Sequence, residues 1–355
     1  MVTAAPAKPA RTGRGWKFFS LLLLIALAAL LYSNFNNIGR RPGRAVQQGE
    51  QPLDEILVED NGAENKIAII EVEGVITSGA MDRSGRSMVD LIQDQLETAA
   101  RDPHVRAVVL KVNSPGGEVL ASDEIYNLIR DFQDSENKPV VASMGTLAAS
   151  GGYYVSAPCR WIVANEMTIT GSIGVIMHGY NYRGLMDKIG VRPDVYKSGK
   201  FKNMLSGDRL PEEIPEEERE MVQALIDEVY GKFTNVVAVG RLQASKDNKN
   251  LGRELTSDWA DYADGRVVSG RQALDIGLVD ELGNFDTAIE RARNLAAIPN
   301  ADLIRYERRF NLGDVFGFLG EAKKAPEIKV DLGLDFPKLQ IGRLYFITPT
   351  TLPYL

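Results

Sequence analysis

The stretch Gly145-Thr-Leu-Ala-Ala-Ser150-Gly-Gly-Tyr-Tyr decides how this chain is interpreted. It follows a β-branched run, 139–144, that predicts a short buried strand, and the residues from Tyr153 onward can continue as a helix. A serine at such a strand-to-helix turn lies at the positive end of a helix dipole, where an alkoxide or an oxyanion is favoured. Ser150 is therefore the candidate nucleophile, and a tight packing turn of small residues is the alternative.

A serine nucleophile needs a base, and the chain has only two histidines, His104 and His178. The run Lys197-Ser-Gly-Lys-Phe-Lys202 offers a lysine instead, which can act as a base if burial or neighbouring cations keep it neutral near pH 7. Lys202 has apolar neighbours and two nearby lysines, so burial and neighbouring cations are both available to lower the pKa of its amine. It is the candidate general base, and a solvated basic loop is the alternative.

Five motifs in this order and spacing resemble the signal peptide peptidase A family, which are membrane-anchored bacterial serine proteases with a Ser/Lys dyad. The likeness covers residues 65 to 295, and the order and spacing of the motifs resemble the short, single-domain branch of the family. The motifs are Asn113-Ser-Pro-Gly-Gly117, the stretch around Ser150, Thr170-Gly-Ser-Ile-Gly-Val175, Lys197-Ser-Gly-Lys-Phe-Lys202, and Asp264-Gly-Arg-Val-Val-Ser-Gly-Arg-Gln-Ala273 followed by Gly277-Leu-Val-Asp-Glu-Leu-Gly283.

The resemblance implies a role for each matching residue. Ser150 is the nucleophile, Lys202 the general base, and Ser172 a hydroxyl that orients the lysine amine. Gly117 matches an oxyanion-hole position, where a backbone amide stabilises the tetrahedral intermediate, and Gly151 is the candidate for a second donor. The implied fold is an α/β crotonase- or Clp-protease-like ββα superhelix. The implied substrates are cleaved signal peptides, with apolar or small side chains preferred, and the implied assembly is a homo-oligomer.

The composition of the chain argues against several kinds of partner and cofactor. The first 44 residues carry seven basic and no acidic residues, which leaves 34 basic against 48 acidic residues in the remainder. Such an acidic body argues against a nucleic-acid partner. The single cysteine, Cys159, excludes an intramolecular disulfide, and no dense group of His, Asp and Glu predicts a metal site. We therefore expect neither a metal nor another cofactor.

An uncharged, apolar run in residues 18–38 is long enough to cross a bilayer. Four cations precede it closely, so the positive-inside bias predicts a cytoplasmic N-terminal tail (1–17) and an extracytoplasmic body. The predicted location is the bacterial inner membrane, crossed once. A cleaved secretory signal is the alternative, but cleavage after Ala28 would cut inside the apolar run.

Behind this anchor we expect a polar linker (39–64), a serine peptidase domain (65–298) and a C-terminal tail (299–355). Hydrophobic spacing predicts a long helix from Pro215 to Val239, with an apolar face ending at Phe233. The tail is apolar yet broken by prolines, so we expect it to pack on its own body, on another subunit or near the substrate groove.

Two rival functions remain open at this point. One is a Clp-like peptidase that uses His178 as its base, because His178 follows an apolar strand. The other is a non-catalytic scaffold of crotonase fold, which would keep the Gly116-Gly117 element without a working dyad. A serine-reactive probe would separate the scaffold from the peptidases.

Overall fold

The computed structural model describes residues 53–80, 86–308 and 344–347. Strands and helices alternate along these ranges. The strands are β1 (Leu53–Glu59), β2 (Lys66–Glu73), β3 (Val105–Ser114), β4 (Gly116–Glu118), β5 (Val140–Ala149), β6 (Trp161–Ala164), β7 (Ile169–Gly171), β8 (Ile176–Met177), β9 (Val267–Ser269), β10 (Glu281–Leu282), β11 (Asp302–Arg308) and β12 (Leu344–Ile347). The helices are α1 (Met88–Arg101), α2 (Val119–Glu136), α3 (Gly151–Ser156), α4 (Arg183–Lys188), α5 (Glu216–Asp247), α6 (Gly270–Asp275) and α7 (Phe285–Leu295).

A mostly parallel sheet forms the centre of the described residues, with strand order β1-β11-β2-β3-β5-β6-β10. Strands β2, β3, β5 and β6 run parallel to their neighbours. Strand β7 pairs parallel with the end of β5 and antiparallel with β9. Parallel strands need crossover connections, which α1, α2 and α3 provide. This is the α/β architecture expected from the sequence.

Alternate side chains of the central strands enter two separate cores, because successive residues of a strand point to opposite faces. On one face, Ile70 and Leu110 pack beneath α1 and α2. On the other, Ile69 and Val109 pack with Ala288 of α7. Both faces of the central sheet are therefore covered, which explains the continuous apolar runs in β2 and β3.

Two domain boundaries differ from the sequence interpretation. Residues 53–59, which we assigned to the linker, form β1, and residues 302–308, which we assigned to the tail, form β11. The two strands pair antiparallel, and β11 also pairs parallel with β2. Among the described strands, β1 pairs only with β11, which lies between β1 and β2. Pairing over such a separation left no local signal, so the structured body includes 53–59 and 302–308 as well.

Two further expectations concern helices. Helix α5 extends beyond the predicted end, and Phe233 is fully buried as expected, but Leu225 on the same predicted face is 43% exposed. The first half of α5 therefore extends beyond the core of this chain. The predicted anchor, 18–38, lies outside the described residues. Within the described ranges, no helix has the length and apolar content needed to cross a bilayer.

The second half of α5 is attached to the sheet by a buried ion pair between Arg241 and Asp280, whose side chains are each only 1% exposed. Asp280 also accepts hydrogen bonds from the amides of Ile162 and Arg253, at 2.8 and 3.0 Å. Close packing of Gly240 against the backbone of Ala157 accompanies the pair. This cluster fixes α5 beside α3.

Replacement of Asp280 by alanine should lower the free energy of unfolding by about 3–5 kcal/mol, because it leaves the Arg241 guanidinium buried without a counter-charge. Urea denaturation would measure the change. The matched control is Glu166→Ala, which breaks the exposed pair with Arg271 and should cost less than about 1 kcal/mol. Equal losses in the two variants would contradict a special role for the buried pair.

Candidate active site

Ser150 occupies the sharp turn between β5 and α3. Its backbone angles are φ 54° and ψ −117°, in a region that non-glycine residues rarely adopt. The Ser150 amide donates to Gly171 O and its carbonyl accepts from the Tyr154 amide, both at 2.8 Å, so bonds on either side hold the turn. The Oγ atom is buried and has no hydrogen-bond partner among the described residues. Strain and an unpaired hydroxyl at one residue are typical of a nucleophile turn.

Three glycines surround this turn and leave no room for side chains. A Cβ added to Gly116 would lie 2.6 Å from the Gly151 amide nitrogen, and one added to Gly151 would lie 3.1 Å from the Gly117 amide nitrogen. Gly116 also has φ +101°, which favours glycine. The structure thus brings Gly117 and Gly151 together beside Ser150. Two backbone amides this close to a hydroxyl can stabilise an oxyanion.

The amide of Gly117 points away from Ile76. Its neighbours Gly116 and Glu118 bond to Ile76 through Gly116 O and the Glu118 amide, at 2.9 and 2.8 Å. Since successive N–H groups of a strand point to opposite edges, the Gly117 amide faces the other edge. There β12 lies between β4 and β8, pairing antiparallel with both. From residue order alone we expected only that the tail would contact its own body, another subunit or the substrate groove.

Ser172, the predicted lysine-orienting hydroxyl, follows β7 and is nearly buried. Its φ is +49°, so a second serine near the site has an unusual backbone conformation. Ser172 also lines an open cavity of about 430 Å³ that includes Tyr230 of α5 and Ile347 of β12. The surroundings of Ser172 are therefore accessible from outside this chain.

Lys202 is not brought to Ser150 within the chain. Its side chain is exposed, whereas Ser150 is completely buried. Lys197 Nζ donates to Lys200 O and Asn203 Oδ1, at 3.0 and 2.8 Å, and Lys200 pairs with Glu217. Of the three lysines in this motif, Lys202 is the one whose ammonium has no hydrogen bond or ion pair with any residue the structure describes.

The segment that carries Lys202 is attached to the first turn of α5. Glu218 accepts a hydrogen bond from the Leu205 amide at 3.1 Å and pairs with Arg209. Burial disfavours the Glu218 carboxylate, but these bonds hold its pKa below the ordinary value. At 1.5 Å per residue, Glu218 lies about 22 Å along the helix axis from Phe233, which packs near the Ser150 turn. The segment is held well away from that turn.

Other nucleophile and base candidates have different environments. His178 is half-buried and packs edge-on against the Tyr180 ring, 5.0 Å between centroids, without a hydrogen bond to Ser150. Cys159 is completely buried, and burial raises the pKa of its thiol to about 12, which keeps it unreactive. Among the described residues, no group of three or more His, Cys, Asp or Glu could hold a metal ion.

Comparison with known proteins adds independent information. The family model described as Peptidase family S49 matches residues 132–299, and the Clp protease model matches 72–165. A Synechocystis protein named as a protease is 42% identical over 233 residues, covering 66% of this chain and 75% of the relative. A protein of Enterococcus faecium named as signal peptide peptidase SppA is 36% identical over 263 residues, covering 73% and 72%. Protease 4 of Haemophilus influenzae is 36% identical over 231 residues, covering 65% and 35%.

The chain is thus a serine-type peptidase with a Clp-protease-like domain of mixed α/β structure. It belongs to peptidase family S49. The expected resemblance is confirmed, and the non-catalytic scaffold is not supported. The residues that perform the chemistry remain predictions from the sequence and the geometry.

Proposed function

We propose that this chain is a membrane-anchored endopeptidase that hydrolyses remnant signal peptides with a Ser150/Lys202 dyad. The observation that supports the proposal most directly is the buried, unpaired Ser150 hydroxyl on a strained turn beside the amides of Gly117 and Gly151. A hydroxyl without a partner is costly in a folded protein unless a substrate or a second residue uses it. The relative from Enterococcus faecium, named as a signal peptide peptidase, suggests the substrate class.

The proposed reaction has two steps. Neutral Lys202 takes the Ser150 proton while Oγ attacks the peptide carbonyl, and the Gly117 and Gly151 amides stabilise the resulting oxyanion. The Lys202 ammonium then protonates the leaving amine, which gives an acyl-enzyme and a neutral lysine. In the second step, water attacks the ester while Lys202 takes its proton, and the Lys202 ammonium then returns that proton to Ser150 Oγ as the acid product leaves. Ser172 would orient the lysine amine throughout.

We further propose that Lys202 reaches Ser150 from a neighbouring copy of the chain. In one copy the lysine is exposed and Ser150 Oγ is unpaired. Helix α4, the segment around Lys202 and the first half of α5 expose apolar side chains, including Leu185 (61%), Tyr196 (89%) and Leu225 (43%). Exposed apolar patches of this kind mark protein–protein contacts. A homo-oligomer would cover them and bring one subunit's lysine to the next subunit's serine.

The cavity beside Ser172 provides an entry for that lysine. Two carboxylates, Asp227 and Asp264, line it and would attract an ammonium group. Hydrogen bonds from Arg266 lower the pKa of Asp264 to about 2, so that carboxylate is ionised but has its own counter-charge. Because Asp264 is already paired with Arg266, it would raise the lysine pKa less than a free carboxylate would.

Co-expression of Ser150→Ala and Lys202→Ala chains tests this arrangement. Each variant alone should be inactive. If serine and lysine come from adjacent subunits, a random equal mixture should regain about one quarter of the wild-type activity, since half of the subunits supply each intact residue. Peptide hydrolysis by the purified mixed oligomer is the measurement.

An inactive mixture would refute an active site shared between two subunits. A dyad formed within one chain would still be compatible with that result. The base itself is tested separately with His178→Ala. Full activity of the Lys202→Ala variant, together with loss of activity in His178→Ala, would assign the base to the histidine and overturn the dyad.

The anchor belongs to the same proposal. An N-terminal span at 18–38, preceded by a basic cytoplasmic tail, would hold the catalytic domain at the outer face of the inner membrane, where cleaved signal peptides remain. Strand β1 starts at Leu53, which leaves 39–52 as a short linker after such a span. Fractionation of cells with the full chain and with residues 1–38 removed would test the anchoring.

A further inference from the structure

The end of β7 joins the two serines of the candidate active site. The Ser150 amide donates a hydrogen bond to Gly171 O at 2.8 Å. Ser172 is the next residue along the chain, and its own amide donates to Arg266 O at 2.7 Å, beside β9. The position of the Gly171 peptide therefore sets how far the nucleophile turn lies from the proposed lysine-orienting hydroxyl.

Strand pairing alone holds this peptide weakly. Strands β7 and β9 are each only three residues long. Gly171 ends β7 with φ +75°, and a Cβ there would lie 3.1 Å from Val268 Cγ2, so the position favours glycine. Glycine has more backbone freedom than any other residue. A further contact is therefore needed to hold the Gly171 peptide in one place.

The side chain of Thr170 provides such a contact. Thr170 is completely buried, and its Oγ1 donates to Ala148 O at 2.6 Å. The two residues are also directly opposite each other in the parallel pairing of β5 and β7. Ala148 lies two residues before Ser150, just after the point where the pairing of β5 with β3 changes register. The Thr170 hydroxyl thus joins the end of β5 to β7 immediately before both serine turns.

We propose that Thr170 is a positioning residue, whose hydroxyl holds the Ala148 carbonyl and so fixes the separation of the Ser150 and Ser172 hydroxyls. The inference rests on the proposed function and adds a residue to its site. In that function one lysine amine must reach both hydroxyls, so their separation decides whether the amine can take the Ser150 proton. A misplacement of about 1 Å in such an arrangement can lower turnover by about 10²-fold.

The test compares variants of Thr170 in the full chain. Thr170→Val keeps the branched shape without the hydroxyl, and it should lower kcat for peptide hydrolysis by about 10- to 100-fold while KM changes less than about twofold. Thr170→Ala should show the same loss, and it places no methyl group against the Ala148 carbonyl. Thr170→Ser keeps the hydroxyl and should restore kcat to within about threefold of the wild type.

Thr168→Val is the matched control. Thr168 is also almost completely buried, and its Oγ1 donates to Gly145 O at 2.8 Å, which is the same kind of bond between β5 and the β7 segment. Gly145 lies five residues before Ser150, so this variant should lose a similar amount of stability and keep the wild-type kcat. Equal losses of kcat in Thr168→Val and Thr170→Val would overturn the inference. The same holds if Thr170→Ser fails to restore kcat.

Failure of the proposed function is distinguishable from failure of this inference. Hydrogen exchange of the Ser150 amide, followed by mass spectrometry of peptides that cover 148–152, reports on the turn without turnover. Exchange should be about fivefold faster in Thr170→Val and unchanged in Thr168→Val. If the wild-type chain cleaves no peptide, the proposed function fails, and this comparison still decides whether Thr170 holds the turn. Equal exchange in the wild type and Thr170→Val would contradict it.

Discussion

Substitution of Ser150 by alanine is expected to abolish peptide hydrolysis and, at the same time, to stabilise the fold. Loss of a nucleophile lowers turnover by at least about 10³-fold in serine peptidases. The stability gain has a separate cause, because the buried Oγ has no hydrogen-bond partner among the described residues. Removing an unsatisfied buried hydroxyl should raise the free energy of unfolding by about 1–2 kcal/mol. Ser150→Gly should add a further gain by relieving the positive φ of 54°.

Ser156→Ala is the matched control for this prediction. Ser156, the last residue of α3, is equally buried, but its Oγ donates to Gly152 O at 2.8 Å. Its removal should cost about 1 kcal/mol and leave hydrolysis intact. Urea denaturation and a peptide assay on the three variants measure both effects. Destabilisation by Ser150→Ala, or hydrolysis that persists in it, would argue against a strained nucleophile at this position.

The second large effect is expected from Gly116→Ala. The added methyl group would lie 1.9 Å from Phe346 O and 2.6 Å from the nitrogen of Gly151, one of the two proposed oxyanion donors. Blocking or displacing an oxyanion donor lowers kcat by about 10²–10³-fold. We expect a loss of at least about 100-fold in kcat/KM, with the secondary structure retained in circular dichroism.

Part of this loss could come from the backbone angle alone, and Gly62→Ala controls for it. Gly62 also has a positive φ, +61°, but a Cβ there would meet nothing within 4 Å. It should therefore lose some stability and no activity. If Gly116→Ala cleaves peptides at the wild-type rate, then the Gly151 amide does not serve as an oxyanion donor.

The local backbone around Ser150, Gly151 and Gly117 could be anticipated from residue order. Ser150, Gly151 and Gly117 each lie at a strand-to-helix turn, and parallel strands end at a common edge, so motifs far apart in sequence meet there. The structure brings these three residues together. Structural elements with a local sequence signal, such as buried strands and glycine turns, could be inferred from residue order alone.

Features that depend on distant partners could not be inferred in this way. Strand β1 pairs with β11 almost 250 residues later, and β12 with β4 more than 220 residues earlier. The apolar spacing of α5 predicted one buried face, but only its second half packs on this chain, with Phe233 buried and Leu225 exposed. Periodicity shows that a face is apolar and does not show which molecule covers it.

The covalent attachment of β12 affects how ligand affinity for this peptidase would be measured. A segment joined to the same chain competes at an effective concentration that can reach about millimolar, whatever the amount of protein in the assay. A free peptide that pairs with the same edge of β4 must therefore exceed that internal competitor, and its apparent dissociation constant understates its intrinsic affinity. Dilution of the enzyme would not remove the discrepancy, whereas a chain truncated before Leu344 would.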